Sequence, residues 1–124
     1  MIPFKNRFHG HNSLMYVYKN GQANRSHSMI LRSAPNSHRQ ESRFAVVVSK
    51  KTLKSAVRRN LIRRRVYEVI RGILPKLSGV FDIVIIVSTS ELINLTPQEL
   101  REQITQLFDQ AGLLKSPADV SKHQ

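Results

Sequence analysis

The chain has 124 residues, which suffice for one hydrophobic core but not for two. It has no cysteine, so disulfide bonds and thiolate zinc sites are excluded. No stretch of the sequence reaches the roughly 20 apolar residues that a membrane-spanning helix needs, and the first residues lack the apolar run of a signal peptide. We therefore expect a single globular domain in the reducing cytoplasm, with no segment that spans a membrane.

The positive charge is concentrated in the first half of the chain. The net charge is +12, with 15 Lys and Arg residues against one acid in residues 1–67, and five against seven in residues 68–124. Like charges held in a compact fold repel one another, and a polyanion that accepts them and releases its own counterions offsets this repulsion. Nucleic acid and an anionic membrane surface both qualify as partners, and a merely solubilising surface is the third interpretation.

The first predicted element is a short helix. Its apolar residues, at positions i, i+3 and i+4, are Leu14, Val17 and Tyr18. Ser13 is a candidate N-cap of this helix and Gly21 a candidate stop. The segment 28–32 is then predicted as a strand, followed by a polar, proline-containing connection over residues 33–40. The apolar, β-branched run 44–49 predicts a buried strand.

A longer amphipathic helix follows this strand. Its apolar stripe, with members three or four residues apart, consists of Ile62, Val66, Val69 and Ile73. The opposite face carries Asn60, Arg64, Tyr67 and Arg71. Gly72 and Pro75 limit how far the helix runs. The apolar run 80–87 predicts a second buried strand, and the order strand, helix, strand predicts that the two strands are parallel.

The last helix has the clearest start signal in the chain. Thr96 can cap it, Pro97 suits the first helical position, and Glu99 completes a capping box. The predicted core stripe consists of Leu100, Ile104, Leu107, Phe108 and Ala111. Gly112 lies where a helix commonly ends.

The residues that carry function are predicted at the start of the longer helix and in the loop before it. Half of the sixteen residues from Lys50 to Arg65 are basic and none is acidic. The predicted phosphate-binding residues are Lys50, Lys51, Lys54, Arg58, Arg59, Arg63, Arg64 and Arg65. Arginine can grip phosphate with two N–H groups. Asn60 adds a donor and an acceptor, which suit a base edge, a ribose hydroxyl or a metal-bound water.

Other interpretations of this cluster fit the sequence less well. A solvated helix face usually mixes charges at i,i+4 spacing, but here no acid precedes Glu68 within the helix. An interfacial membrane helix would carry Trp or Phe on its apolar stripe, and this one has neither. The sequence also lacks a Gly-rich phosphate loop and any cluster of carboxylates and histidines for catalysis or metal binding, which disfavours an autonomous nuclease.

The strand that leads into the basic loop and the helix after it carry a specific pattern. The strand reads Arg43-Phe44-Ala45-Val46-Val47-Val48-Ser49-Lys50-Lys51, and the helix contains Arg59-Asn60-Leu61-Ile62-Arg63-Arg64. This pattern resembles the bacterial ribonuclease P protein family, in which an apolar strand ends in Ser/Ala-Lys-Lys and a helix carries Arg-Asn-Arg-x-Lys-Arg. The resemblance extends over about residues 13–114. Leu61 replaces the second motif arginine, so that RNA contact is missing or is supplied by Arg58 or Arg65.

The resemblance implies the protein subunit of ribonuclease P, an endoribonuclease that removes the 5′ leader of precursor tRNA. In that family the RNA subunit carries the catalysis and the protein alone is inactive. The expected partners are ribonuclease P RNA and precursor tRNA, with no membrane partner and no obligate protein partner. The expected cofactor is Mg²⁺, bound mainly by the partner RNA. A ribosomal or ribosome-associated RNA-binding protein without a role in cleavage is the alternative.

The fold implied by the resemblance is an α/β (α+β) two-layer sandwich. It has a mixed sheet of about four strands, a basic helix in a βαβ crossover and a C-terminal helix. Such crossovers are right-handed in nearly all proteins, but the family is an exception, and we expect a left-handed one here. We also expect a flexible basic N-terminus over residues 1–12, a single RNA-binding domain over 13–114 and a disordered tail over 115–124.

A cleft for the single-stranded 5′ leader is also implied by the resemblance. The candidate cleft residues are Leu14, Tyr18, Arg32 and Phe44. Leu14 and Arg32 replace aromatic residues of the family, so we expect less base stacking, with charge partly substituting for it. Tyr18 and Phe44 could stack on bases or belong to the core.

Overall fold

The computed structural model describes residue 6 and residues 11–36 and 40–115, with only the backbone described for residues 11–14. The helices are α1 (His11–Asn20), α2 (Ala56–Ile73) and α3 (Pro97–Gln110), and the strands are β1 (Gln22–Arg25), β2 (Met29–Pro35), β3 (Arg43–Val48) and β4 (Phe81–Val87). Short 3-10 turns at Leu74–Lys76 and Ser90–Asn94 precede β4 and α3. The predicted N-terminal segment and tail lie almost wholly outside the described residues and stay predictions.

The four strands form one mixed sheet in the order β1-β2-β4-β3. β4 runs antiparallel to β2 and parallel to β3, with Phe44 opposite Ile83 and Val48 opposite Val87. The predicted α/β sandwich, its mixed sheet and the parallel pair are confirmed. The left-handed crossover stays a prediction.

The first two strands differ from what the sequence predicts. The sequence does not predict β1, because Gln22–Arg25 is mostly polar. In the structure these residues are mostly exposed, and they form a strand by pairing with β2. β2 continues three residues past its predicted end at Arg32 and finishes at Pro35. Ser33 and Ala34 are buried in this extension, which a polar, proline-containing segment does not suggest.

The sequence prediction for α1 is wrong at the start of the helix and confirmed at its end. Ser13 lies inside the helix and is not its N-cap, because the helix begins at His11. Gly21 ends the helix as predicted, and its N–H donates to the Val17 carbonyl oxygen at 2.9 Å. A Cβ at Gly21 would lie 2.5 Å from that oxygen, so only glycine allows this tight turn into β1.

The strands divide their side chains between two faces of the sheet. On one face Leu31, Phe44 and Ile85 pack beneath α2 and α3 in the main core. The fully buried helix residues of this core are Ile62, Val66, Ile70, Ile73, Leu100, Ile104, Leu107 and Phe108. Compared with the predicted stripe of α2, Ile70 is an additional buried residue and Val69 is only half-buried. On the opposite face α1 covers part of the sheet, where Val17 packs against Ala34 and Val84.

The helix α3 begins as its sequence predicts. The Thr96 hydroxyl oxygen accepts from the Glu99 backbone N–H at 3.1 Å, and the Glu99 carboxylate accepts from the Thr96 N–H at 2.9 Å. Gly112 follows the helix with φ 73°, a left-handed conformation that favours glycine. This helix is thus specified almost entirely by its own local sequence.

A buried ion pair joins β3 and β4. Arg43 and Asp82 are direct partners in the strand register, and both are almost fully buried. The guanidinium donates from Nε to Oδ1 at 2.9 Å and from Nη2 to Oδ2 at 2.7 Å, while Asn36 donates to the same Oδ2 at 2.9 Å. The pair therefore ties the start of both parallel strands together.

Removing one member of this pair should destabilise the fold strongly. Asp82→Leu or Arg43→Met should lower the free energy of unfolding by about 3–5 kcal/mol, because a buried charge then lacks its partner. The double variant Arg43→Met/Asp82→Leu should lose less than either single variant. Urea unfolding of all four proteins measures this, and losses that simply add in the double variant would contradict the account.

Candidate nucleic-acid interface

The loop between β3 and α2 is fixed by its own hydrogen bonds. The Ser49 hydroxyl oxygen accepts from the Thr52 N–H at 3.1 Å, and the Ser49 carbonyl oxygen accepts from the Leu53 N–H at 3.1 Å. Ser55 then caps α2, with its hydroxyl oxygen accepting from the Arg58 N–H at 3.3 Å. This ordered loop carries the predicted cations Lys50, Lys51 and Lys54, all of them exposed.

The predicted cations of α2 fall into two groups. Arg58 and Arg64 are exposed, and their guanidinium groups make no hydrogen bond or ion pair to the rest of the described chain. Arg63 donates from Nη2 to the side-chain oxygen of Asn60, so these two side chains orient each other. Asn60 keeps its amide N–H groups available for a partner. Together these side chains form an exposed row of donors with positive charge.

Arg59 and Arg65 have a structural role in addition to their charge. Arg59 donates from Nη1 to the carbonyl oxygens of Leu53 and Lys54, both at 2.9 Å, and so clamps the basic loop to α2. Arg65 donates from Nη1 to the Ile93 carbonyl oxygen at 3.1 Å and anchors α2 to the turn before α3. The guanidinium group has five N–H donors, so both residues can still bind phosphate with the rest.

The basic stretch 50–65 contains no acidic residue. The first acid along α2 is Glu68, and its carboxylate lies 3.6 Å from Arg71 Nη1. The basic surface, defined here as residues 50–65, therefore carries unbalanced positive charge next to the N-terminus of a helix. That arrangement attracts phosphates through both the side-chain charges and the helix dipole.

A second candidate surface lies where α1 leaves the sheet partly uncovered. Arg32 donates from Nη1 to the Tyr18 carbonyl oxygen at 2.9 Å, and its guanidinium carbon lies 6.0 Å from the centre of the Tyr18 ring. Burial raises the pKa of the Tyr18 phenol, and the charge of Arg32 acts in the opposite direction. Ala45, Val47 and Ile86 lie half-buried on the same face. We call these five residues the cleft.

The four predicted cleft residues have different outcomes. Tyr18 and Arg32 meet on this face, as the contact between them requires. Phe44 does not belong to the cleft, because it is 1% exposed on the opposite face and its ring centre lies 6.4 Å from that of Phe108. The side chain of Leu14 lies outside the described residues.

Three further cleft residues are not singled out by the sequence. Ala45, Val47 and Ile86 belong to apolar strand runs that are covered on one face by α2 and α3 and only in part on the other. Alternation within the strand indicates which residues share a face, but not which face remains uncovered. Only the position of α1 decides that.

The described ranges contain neither a cluster of metal ligands nor a membrane-spanning helix. Within residues 11–36 and 40–115, no three His, Asp or Glu side chains lie together in a way that could hold a metal ion. In the same ranges no helix has the length and apolar character needed to cross a membrane.

The chain matches a known family over most of its length. The family model for ribonuclease P matches residues 2–112. The chain belongs to the ribonuclease P protein family. The ribonuclease P protein component of Chloroflexus aurantiacus is 38% identical over 103 residues, which cover 83% of this chain and 75% of that protein. The Synechocystis component is 33% identical over 98 residues, which cover 79% and 78%.

Solved structures of ribonuclease P proteins share the fold. The Staphylococcus aureus protein superposes with a TM-score of 0.79 at 20% identity, covering 89% of this chain and 98% of that one. The Thermotoga maritima protein gives a TM-score of 0.75 at 24% identity, covering 84% and 96%. The predicted function is confirmed at this level: the chain is an RNA-binding protein subunit of an endoribonuclease that processes tRNA. The ribosomal alternative is not favoured.

The two groups of arginines should respond differently to substitution. Arg58→Ala and Arg64→Ala should each weaken RNA binding and reduce the slope of log affinity against log salt by about one, with the melting temperature unchanged. Arg59→Ala should in addition lose about 1–3 kcal/mol of stability, because two loop carbonyls lose their charged donor.

Arg71→Ala is the matched control, since Arg71 lies on the same helix but outside the basic surface. It should change RNA affinity and its salt slope little. Thermal melts and binding curves over a salt series measure both effects. A salt slope for Arg71→Ala that falls as much as that for Arg64→Ala would mean that the surface is wrongly bounded.

Proposed function

We propose that this subunit binds ribonuclease P RNA through the basic surface and holds the 5′ leader of precursor tRNA in the cleft. The observation that carries the proposal is the proximity of the two surfaces at the end of β3. Val47 in the cleft and Lys50 in the basic loop are three residues apart, a span of at most about 11 Å. One protein can therefore contact both RNA molecules near the same point.

The basic surface fits the backbone of a folded RNA. Its cations project from a capped helix and from a loop fixed by hydrogen bonds, so little backbone freedom is lost on binding. Phosphates that bind there release counterions, which makes the affinity depend strongly on salt. The exposed Asn60 amide adds a contact that can distinguish a base edge or a ribose hydroxyl from a plain phosphate.

The cleft fits an unpaired strand better than a helix. It combines an aromatic ring, a guanidinium beside it and half-buried aliphatic side chains, which suit the face of a base and one or two phosphates. Only precursor tRNA has a leader, so binding there favours the substrate over the mature product. Because the same protein is anchored on the catalytic RNA, leader binding becomes an intramolecular event with a high effective concentration.

Magnesium is proposed to be held by the RNA. Two of the described carboxylates already have cationic or amide partners: Asp82 is bound by Arg43 and Asn36, and the Glu68 carboxylate lies beside Arg71. Mg²⁺ would supply the activated water and charge stabilisation for phosphodiester hydrolysis. The cations of this chain would neutralise neighbouring phosphates and replace diffuse magnesium. We place the complex in the cytoplasm and propose that it needs no other protein subunit.

A charge placed in the cleft should reduce the preference for precursor. Val47→Glu should lower the ratio of precursor to mature tRNA affinity at least about fivefold, since two like charges about 4 Å apart repel by about 1 kcal/mol in water. Val47→Gln, of similar size but neutral, is the matched control. Equilibrium binding of both tRNA forms to the reconstituted complex measures the ratio.

This measurement separates binding of the leader in the cleft from binding of ribonuclease P RNA by the basic surface. Mature tRNA should bind the Val47→Glu complex as it binds the wild-type complex, and the Val47→Glu protein should bind ribonuclease P RNA as the wild-type protein does. If both tRNA forms weaken equally, the leader lies elsewhere. If Val47→Gln has the same effect as Val47→Glu, the cleft acts through its shape and not through the charge of the leader.

A further inference from the structure

A groove of about 570 Å³ lies between α2 and α3. Its α2 wall consists of residues three or four positions apart, so it is one continuous face of that helix. The apolar lining residues are Leu61, Val69, Ile73, Leu95 and Leu100. The cations around them are Arg64, Arg65, Lys76 and Arg101, against one acid, Glu68. The volume falls within the range of sites for small organic groups, roughly 300–1,000 Å³.

Gly72 in the wall of this groove has no packing explanation in the described structure. A Cβ at this position would meet no heavy atom within 4 Å, and its φ is not in the left-handed region. Glycine is unfavourable inside a helix compared with alanine, so the residue lowers helix stability without relieving a clash. Its effect is to leave room along the α2 wall.

Leu61 places an apolar side chain in the groove where the family motif has an arginine. It is half-buried, and Val57, one turn earlier on the same side of α2, is 76% exposed. An apolar strip thus leads from the groove into the middle of the basic surface. Arg64 and Arg65 belong to both, so the groove and the basic surface are continuous.

We propose that this groove receives an unstacked nucleotide of ribonuclease P RNA, with its base on Leu61 and Val69 and its phosphate near Arg64 and Arg101. The inference rests on the proposed docking of α2 on that RNA and adds a contact to it. An apolar floor with a cationic rim matches a base attached to a phosphate. The rim disfavours a typical peptide, which would have to supply acids to match four cations.

Filling the groove tests this proposal without changing the charge. Gly72→Leu should weaken binding of ribonuclease P RNA roughly tenfold, because the added side chain occupies the space that the base would fill. The salt slope should fall by no more than about one, because only the phosphate of the displaced nucleotide loses its contact. Gln110→Leu is the control, since it adds the same side chain at an exposed position of α3 outside the groove.

Leu61→Lys provides a second test, because binding by charge alone and packing of a base on Leu61 predict opposite changes in RNA affinity. If the helix acts only by charge, an added cation should raise the RNA affinity. If a base packs on Leu61, affinity should fall despite the added charge. Dimethyl sulfate probing should also show a nucleotide that wild type and Gln110→Leu protect but Gly72→Leu does not.

The outcomes are distinguishable from failure of the proposed function. Wild-type protein that binds the RNA weakly and independently of salt would refute the docking itself. Salt-dependent binding that is equal for wild type and Gly72→Leu, or tighter for Leu61→Lys, would overturn the groove alone. The melting temperatures of the free variant proteins are a further check. If Gly72→Leu melts at a lower temperature than Gln110→Leu, the groove already holds part of this chain, and this result would also overturn the proposal that the groove binds a nucleotide.

Discussion

Eight cations within sixteen residues repel one another, and burial of the other side of α2 holds them on one surface. Ile62, Val66 and Ile70 are at most 1% exposed, and each contributes about 1.5–3 kcal/mol by burial. Two like charges about 4 Å apart in water cost about 1 kcal/mol. The core beneath α2 can thus outweigh the repulsion above it. The protein presents its charge before any RNA binds, which lowers the entropy cost of assembly.

Two arginines in this region combine a structural contact with a positive charge. Arg59 and Arg65 each donate to main-chain carbonyl oxygens while remaining cationic, so they stabilise the loop and the helix that carry the free arginines. On the opposite face, Arg32 bonds to the Tyr18 carbonyl and lies near its ring, and so fixes α1 against the cleft. On both surfaces, side chains that stabilise the fold are therefore the same ones that the proposed function uses for RNA.

Local sequence patterns predict much of this fold. The Thr96 capping box, the Gly21 stop and the two buried parallel strands depend on neighbouring residues, and all are found. The strand β1 was missed because its residues are polar and become a strand only by pairing with β2. The family resemblance supplied the number of strands and the identity of the partner RNA, which periodicity alone does not give.

The candidate site was predictable in composition but not in detail. The basic residues follow from the sequence directly, whereas the carbonyl partners of Arg59 and Arg65 depend on how the loops fold back. The sequence leaves Phe44 open between the cleft and the core, because a run of apolar residues does not indicate which face of the sheet α1 leaves uncovered. The structure places Phe44 in the core. The groove beside Leu61 likewise cannot be predicted from the sequence, because it depends on where α3 packs against α2.

The proposed function requires this chain to contribute position and charge to the reaction and no catalytic group. The most direct test incubates precursor tRNA with the protein, with ribonuclease P RNA and with both, over a magnesium series. Leader removal should be absent with protein alone, occur with RNA alone only at high magnesium, and persist at low magnesium with both, because fixed cations replace diffuse ones. Cleavage by purified protein from which all RNA has been removed would contradict the account.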